Sequence, residues 1–202
     1  MQIMHFYYGE MIFEIPKNIY YPAEDSLLMA KVVESEKLEG IKVLEIGCGC
    51  GFLSVIMAKH GALVTAIDIN PEAIRATKLN AEVNGVNLNA FESDLFSAIT
   101  GRFDLIVFNP PYLPVEEGET DPTYAGGATG REVIEKFVAD VKNHLKPKGS
   151  ILMVISSLTG EKEVIELFEK HDMHTTILAR EKIPWEELIV IEATTDHLSE
   201  AP

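Results

Sequence analysis

Val43-Leu44-Glu45-Ile46 runs directly into Gly47-Cys48-Gly49-Cys50-Gly51, and Phe52 to Lys59 then continues as an apolar helical stretch. A short apolar run, a glycine-rich turn and an apolar helix open a strand–helix–strand unit, so this stretch decides the fold. The same alternation continues downstream. Leu63-Val64-Thr65-Ala66-Ile67 reads as a second strand, ended by Asp68. Asn70 caps the next helix, with Pro71 at its first position and Gly85 at its stop. Leu88 to Phe91 and Phe103 to Phe108 give a third and a fourth strand. A helix from about Arg131 to Leu145 stops before Pro147 and Gly149, and Ile151 to Ile155 makes a fifth strand. Glu161 to Lys170 is a further helix, and Thr175 to Ala179 and Leu188 to Ile191 complete the set.

Strands alternating with helices imply an α/β fold: a seven-stranded, mainly parallel sheet with helices on both faces. The link between the last two strands, through Pro184 and Trp185, is too short for a parallel crossover. It predicts one antiparallel strand near the sheet's edge, with Trp185 as a packing anchor. Upstream, His5-Phe6-Tyr7-Tyr8-Gly9-Glu10-Met11-Ile12-Phe13-Glu14-Ile15 reads as a small hairpin turning near Gly9. A helix follows, opening at Pro22-Ala23-Glu24-Asp25-Ser26, where proline and acidic residues suit a helix start. Without repeats or a linker, a single domain spanning 1–202 is expected, with 1–20 as a hairpin extension.

The 202 residues are 47% hydrophobic, enough for a well-buried core. No apolar run approaches the roughly 18 residues needed to cross a membrane, and the N-terminus lacks the layout of a signal peptide. Seventeen Lys and Arg stand against 32 Asp and Glu, a net charge of −15. That balance repels bulk nucleic acid, whose phosphates supply most non-specific affinity, and favours a basic protein partner or substrate. Cys48 and Cys50 have no matching histidine pair for zinc. They read as small reduced residues in a tight turn, so no metal and an intracellular, cytoplasmic location are expected.

In an open parallel sheet, ligands bind beyond the carboxyl ends of the strands. Gly47, Gly49 and Gly51 let the backbone approach a ligand there. Asp68 lies 21 residues after Gly47 and can accept both hydroxyls of a ribose. Asp94, in Ser93-Asp94-Leu95 after the third strand, can accept an exocyclic amino group of adenine. Dinucleotide folds use Gly-x-Gly-x-x-Gly, whereas this loop is Gly-x-Gly-x-Gly preceded by Glu45. A carboxylate at that place suits a ligand bearing an ammonium group, which points to S-adenosylmethionine. The bland alternative, glycines that only turn a strand into a helix, leaves Asp68 and Asp94 at matching strand ends unexplained.

Asn109-Pro110-Pro111-Tyr112 closes the apolar run Asp104-Leu105-Ile106-Val107-Phe108. Two prolines cannot donate backbone hydrogen bonds, and Pro110 holds Asn109 out of the helical region. The resulting stiff bend offers an amide oxygen, a backbone carbonyl and an aromatic face, suited to a planar amide or amine. Asparagine before proline is also an ordinary turn former. The segment from Leu113 to Gly130 is long for a connection and reads as a functional lid or a mobile loop. Its Glu116, Glu117, Glu119 and Asp121 are either a solvated run or a means of steering a positively charged protein. His5, His60, His144, His171, His174 and His197 are scattered and carry no assigned chemistry.

Glu45-Ile-Gly-Cys-Gly-Cys-Gly51, Asp68, Asp94 and Asn109-Pro-Pro-Tyr112 together resemble the Rossmann-like class I methyltransferases, and more closely the HemK family of protein-glutamine methyltransferases. Tyr21-Pro-Ala-Glu-Asp-Ser26 and Ala125-Gly-Gly-Ala-Thr-Gly-Arg-Glu132 resemble its archaeal and eukaryotic branch, over about Tyr20 to Glu192. That branch methylates the glutamine of the Gly-Gly-Gln motif in a peptide chain release factor. The resemblance implies that Glu45, Gly47, Gly49 and Gly51 line the cofactor, that Asp68 holds its ribose, and that Asp94 and Leu95 contact its adenine. Ser26, where threonine is usual, would reach the cofactor from the N-terminal helix. Asn109, Pro110, Pro111 and Tyr112 would hold the substrate amide, with Asn109 also touching the cofactor and Asn109, Pro110 and Tyr112 acting in catalysis. The resemblance further implies a small zinc-binding activator subunit on the edge of the third strand, along Val86–Phe91, covering Val86, Leu88 and Ala90. The turn alone also fits an adenine amino methyltransferase of DNA or RNA, and methylation of lysine on another protein is a further alternative within the class, whereas the intact turn disfavours a non-catalytic cofactor-binding subunit. The acidic charge and the two flanking segments favour protein over nucleic acid.

Overall fold

The computed structural model describes residues 3–112 and 129–195. The chain forms two compact units, Met1–Ile99 and Thr100–Pro202.

In the first unit, β1 (Ile3–Tyr8) and β2 (Met11–Pro16) form an antiparallel hairpin turning through Gly9. The helix α1 (Glu24–Val33) follows, with Glu24 and Asp25 in its first turn. Then β3 (Lys42–Ile46), β4 (Leu63–Asp68) and β5 (Asn89–Glu92) pair in parallel, β4 in the middle. After β3 comes α2 (Phe52–Lys59), and after β4 comes α3 (Pro71–Val83). The Asn70 side chain caps α3 by accepting from the Glu72 amide at 2.9 Å, with Pro71 in the first turn. Cys48, Ala66, Ile74 and Ala90 pack together as a buried cluster, with Leu88 against it.

That cluster corrects the expectation of a bare apolar third strand. Leu88 and Ala90 point to the face covered by α3, so Ala90 is buried and Leu88 half-buried, as is Val86. The residues of this stretch that face solvent are the polar Asn87, Asn89 and Glu92.

In the second unit, β6 (Phe103–Phe108) pairs in parallel with β7 (Leu145–Ser156). Two helices, α4 (Glu132–Val141) and α5 (Glu161–Lys170), flank β7 in sequence. Ile134, Phe137, Val138 and Val141 fall at helical spacing on α4 and are all fully buried. Finally β8 (His174–Ile183) and β9 (Glu186–Thr194) form a hairpin, and β9 also pairs antiparallel with β7. The full strand order is β5-β4-β3-β6-β7-β9-β8, so β5 and β8 are edges and the antiparallel β9 stands one place in.

Two sequence expectations change in this unit. The fourth helix ends at Val141, a 3-10 turn covers Lys142–His144, and β7 already begins at Leu145. The register shifts between Phe103 and Leu105, which lets β7 hold Lys146 to Gly149 before regular pairing resumes at Ser150. Gly149 is needed there, because a Cβ would lie 3.0 Å from the carbonyl oxygens of Lys146 and Phe103. Trp185 is no packing anchor: it stands on the β8–β9 turn with 90% of its surface exposed.

Candidate active site

In the first unit the ends of β3, β4 and β5 converge. Ile46 pairs with Ile67 and Asp68 with Glu92, so the glycine loop, Asp68 and Ser93 all leave the sheet at the same end. Gly47, Gly49 and Gly51 have φ of +68, +53 and +80, a region that only glycine occupies at little cost. Gly51 meets a second constraint. A Cβ there would lie 2.9 Å from the Cα and Cγ2 of Thr77. Around Gly49 the same construction meets nothing within 4 Å, so that glycine faces open space. No side chain caps the N-terminus of α2, whose dipole favours negative or electron-rich groups.

Asp68 organises this loop. Its Oδ2 accepts the Gly49 amide at 2.9 Å and its Oδ1 accepts the Asn70 amide at 2.9 Å. Burial raises the Asp68 pKa, against the pull of these backbone donors. The side chain is still partly open to solvent, and a carboxylate has acceptor capacity beyond those bonds. The Ser93 amide donates to the Asp68 carbonyl at 3.0 Å, joining the third strand's turn to the same residue. In that turn the Ser93 hydroxyl donates to the Leu95 carbonyl at 2.8 Å, and Leu95 takes φ +45. A left-handed leucine is costly unless its surroundings dictate it. Asp94 beside it is exposed.

Glu45 is buried at the end of β3 and accepts a hydrogen bond from the Ser54 hydroxyl of α2. Burial pushes its carboxyl up to about 8; the Ser54 bond opposes this and the Asp68 charge adds to it. Cys48 and Cys50 are buried free thiols. Burial pushes Cys50 up to about 12 and Cys48 well above the ordinary thiol range, which makes both unreactive. Among the described residues no group of three His, Cys, Asp or Glu could hold a metal. Ser26 is buried in the first turn of α1, with its amide donating to Asp25 Oδ1 at 2.6 Å and its hydroxyl at 3.3 Å. The Tyr20 hydroxyl donates to the same oxygen at 2.9 Å.

In the second unit, β6 delivers Asn109 and the prolines. Leu105 to Phe108 are buried, Pro110 is buried, and Asn109, Pro111 and Tyr112 are partly open. The bend is tied from the turn after β7. Thr159, fully buried, donates from its hydroxyl to the Tyr112 carbonyl at 3.1 Å. Its own carbonyl accepts Arg131 Nη1 at 2.5 Å.

Thr77, Asn80 and Thr159 belong to no motif of the sequence, yet each holds a site loop. Thr77 Oγ1 lies 3.2 Å from the Gly49 carbonyl, and Asn80 donates to the Cys50 carbonyl at 2.8 Å. A polar residue on the inner face of an otherwise amphipathic helix is the available signal for the first two. Glu116, Glu117, Glu119, Asp121 and the Ala125–Ala128 part of the flanking segment lie outside the described residues.

Residues 24–182 match the methyltransferase small domain family. The chain is 46% identical over 182 residues to the "Putative protein N5-glutamine methyltransferase" of Methanocaldococcus jannaschii, covering 87% of this chain and 91% of that one. It is 33% identical to human methyltransferase HEMK2 over 81% of this chain and 84% of that one. The structure is similar to the Mtq2–Trm112 complex of E. cuniculi, described as responsible for methylation of the translation termination factor eRF1. The TM-score is 0.75 at 29% identity, over 89% of this chain and 99% of that chain. The chain belongs to the methyltransferase small domain family, as a HemK2/Mtq2-like protein.

Proposed function

We propose that this protein transfers a methyl group from S-adenosylmethionine to the side-chain amide nitrogen of the Gly-Gly-Gln glutamine in a peptide chain release factor. The observation that carries the reading is the Asn109-Pro-Pro-Tyr112 bend at the end of β6, in a chain 46% identical to the Methanocaldococcus jannaschii "Putative protein N5-glutamine methyltransferase". The acidic charge of −15 supports a protein substrate over nucleic acid. A cytoplasmic location goes with such a substrate; no helix among the described residues is long and apolar enough to cross a membrane.

The residues present fit the cofactor. Open space at Gly49, a partly open Asp68 carboxylate and a buried Glu45 suit a flat nucleoside with an ammonium-bearing tail. Glu45 would take the ammonium, Gly47, Gly49 and Gly51 the close-lying chain, Asp68 the ribose hydroxyls, and Asp94 with Leu95 the adenine. Ser26 would join them by sharing its hydroxyl between Asp25 and the cofactor. When bound, S-adenosylmethionine supplies an electrophilic methyl group on a sulfonium.

The difficulty lies on the acceptor side, because an amide nitrogen has its lone pair delocalised into the carbonyl. The Asn109 side-chain oxygen and the Pro110 carbonyl each accept one N–H of the substrate amide. This fixes its plane and stabilises the positive charge that grows on nitrogen, which is help aimed at the transition state. Tyr112 stacks on the amide plane and excludes water, with Pro111 stiffening the bend. Orientation of this kind is worth several kcal/mol on general grounds. The proton leaves nitrogen after transfer, so no dedicated base is required. Asn109→Ala should abolish transfer while S-adenosylhomocysteine still binds; full activity with bound cofactor would overturn the role. Labelled cofactor offered with release factor, its Gln-to-Ala variant and total nucleic acid separates this reading from its rivals.

A small zinc-binding activator subunit along the edge of β5 belongs to the same proposal. The E. cuniculi relative is described in complex with Trm112, and β5 is an edge strand here. Unpaired edges invite a further strand. An isolated chain that is fully active and monomeric would count against the subunit.

A further inference from the structure

We infer that the β1–β2 hairpin is a positioning device for the glycine loop, latched by Asn80 of α3 and by Asn84 at its C-cap. This rests on the reading of that loop as the cofactor site. Asn84 and Asn80 are buried side chains one helical turn apart. The Asn84 amide accepts the Ile12 N–H at 3.1 Å and donates to the Ile12 carbonyl at 2.8 Å. The Asn80 amide accepts the Glu14 N–H at 2.8 Å and donates to the Glu14 carbonyl at 3.0 Å. Four helical residues rise about 6 Å and two strand residues about 6.8 Å, so the two spacings match. The pair of amides thus stands in for a third strand along the free edge of β2.

Asn80 then makes one bond more. Its Nδ2 also donates to the Cys50 carbonyl at 2.8 Å, so a single side chain bridges the hairpin and the glycine loop. An independent contact lies on the other side of Gly51. The Phe52 ring, buried as the first residue of α2, is met edge-on by Phe6, Tyr8 and Phe13 of the hairpin at 5.4, 5.2 and 5.3 Å. The hairpin therefore grips Cys50 and Phe52, the two neighbours of a glycine held at φ +80. Opening the hairpin releases the Asn80 bridge and uncovers Phe52, which frees the loop and the start of α2. Asn80 and Asn84 act through the backbone of the hairpin and of the loop, which makes them positioning residues.

Coupling of this kind is reciprocal: if the docked hairpin favours ligand, ligand must favour the docked hairpin. The test uses the whole chain with S-adenosylhomocysteine as the probe. In the wild type, saturating probe should slow exchange of the Ile12 and Glu14 amide hydrogens about tenfold more than that of amides in β8. Asn84→Ala, which leaves the Asn80 to Cys50 bond in place, should raise the Kd of the probe about tenfold. The KM for the cofactor should rise in parallel while kcat at saturation stays unchanged. Tyr8→Ala reaches the same hairpin through Phe52 and should act in the same direction. Wild type that binds the probe without slowing those two amides, or variants that bind it as wild type does, would overturn the inference. Wild type that binds no probe would instead overturn the cofactor reading beneath it.

Discussion

The buried Thr159 hydroxyl donates to the Tyr112 carbonyl at 3.1 Å, so the turn after β7 fixes the last residue of the Asn-Pro-Pro-Tyr bend. Thr159→Val keeps the shape and removes the donor, at a cost of about 1–3 kcal/mol in stability. It should lower kcat about tenfold through misplacement of Tyr112, with binding of S-adenosylhomocysteine unchanged. Thr159→Ser retains the hydroxyl and should restore most of the rate. Steady-state kinetics beside a calorimetric titration decide the matter, and a valine variant with full kcat would show the tie to be dispensable.

Two glycines of one motif should fail for different reasons. In Gly51→Ala the new Cβ strikes Thr77 at 2.9 Å and the residue must also hold φ +80, so a loss of about 2–4 kcal/mol in stability is expected. Gly49→Ala meets no neighbour and should lose only about 1–2 kcal/mol from its backbone conformation. Its cofactor affinity should nevertheless fall strongly, because the methyl group projects into the open space the ligand would take. Chemical denaturation and ligand titration of both variants separate strain from obstruction.

The Glu45 carboxyl, raised from 4.5 to about 8 by burial, binds its proton more tightly folded than unfolded. Its contribution to stability is therefore fully present below about pH 4.5 and is lost as pH rises towards 8. The slope is at most about 1.4 kcal/mol per pH unit. Glu45→Gln keeps an acceptor for Ser54 and removes the titration, so it should be the more stable protein at pH 8 and above. An ammonium ligand favours the ionised carboxylate, so wild-type cofactor affinity should rise with pH up to about 8. The glutamine variant should bind more weakly and without that rise. Melting curves and titrations at pH 5, 7 and 9 check both signs.

What the sequence reveals and what it hides divide by range. The strand–loop–helix at Val43 to Lys59, the Asn70 cap, an antiparallel strand near the sheet's edge and the convergence of Gly47, Asp68 and the Ser93-Asp94-Leu95 turn follow from alternation and turn chemistry. The start of β7 does not, because the register shift opposite Phe103 is a matter between strands. An edge strand could be named from topology, but which face of Leu88 and Ala90 it turns to α3 needs the packed helix. Thr77, Asn80 and Thr159 look like ordinary polar residues until their partners, 28 to 66 residues away in the case of Thr77 and Asn80 and 47 for Thr159, arrive beside them.

Trp185 is the chain's single tryptophan and stands 90% exposed on the β8–β9 turn. Its indole already meets water in the folded state, so its emission changes little when the core comes apart. Intrinsic tryptophan fluorescence is consequently a poor thermometer for this protein, and the melts above call for circular dichroism or calorimetry. The same placement makes it a clean optical reporter of surface events. A protein that settles over the β8–β9 turn will desolvate the ring and shift its emission to the blue, giving a label-free signal for docking.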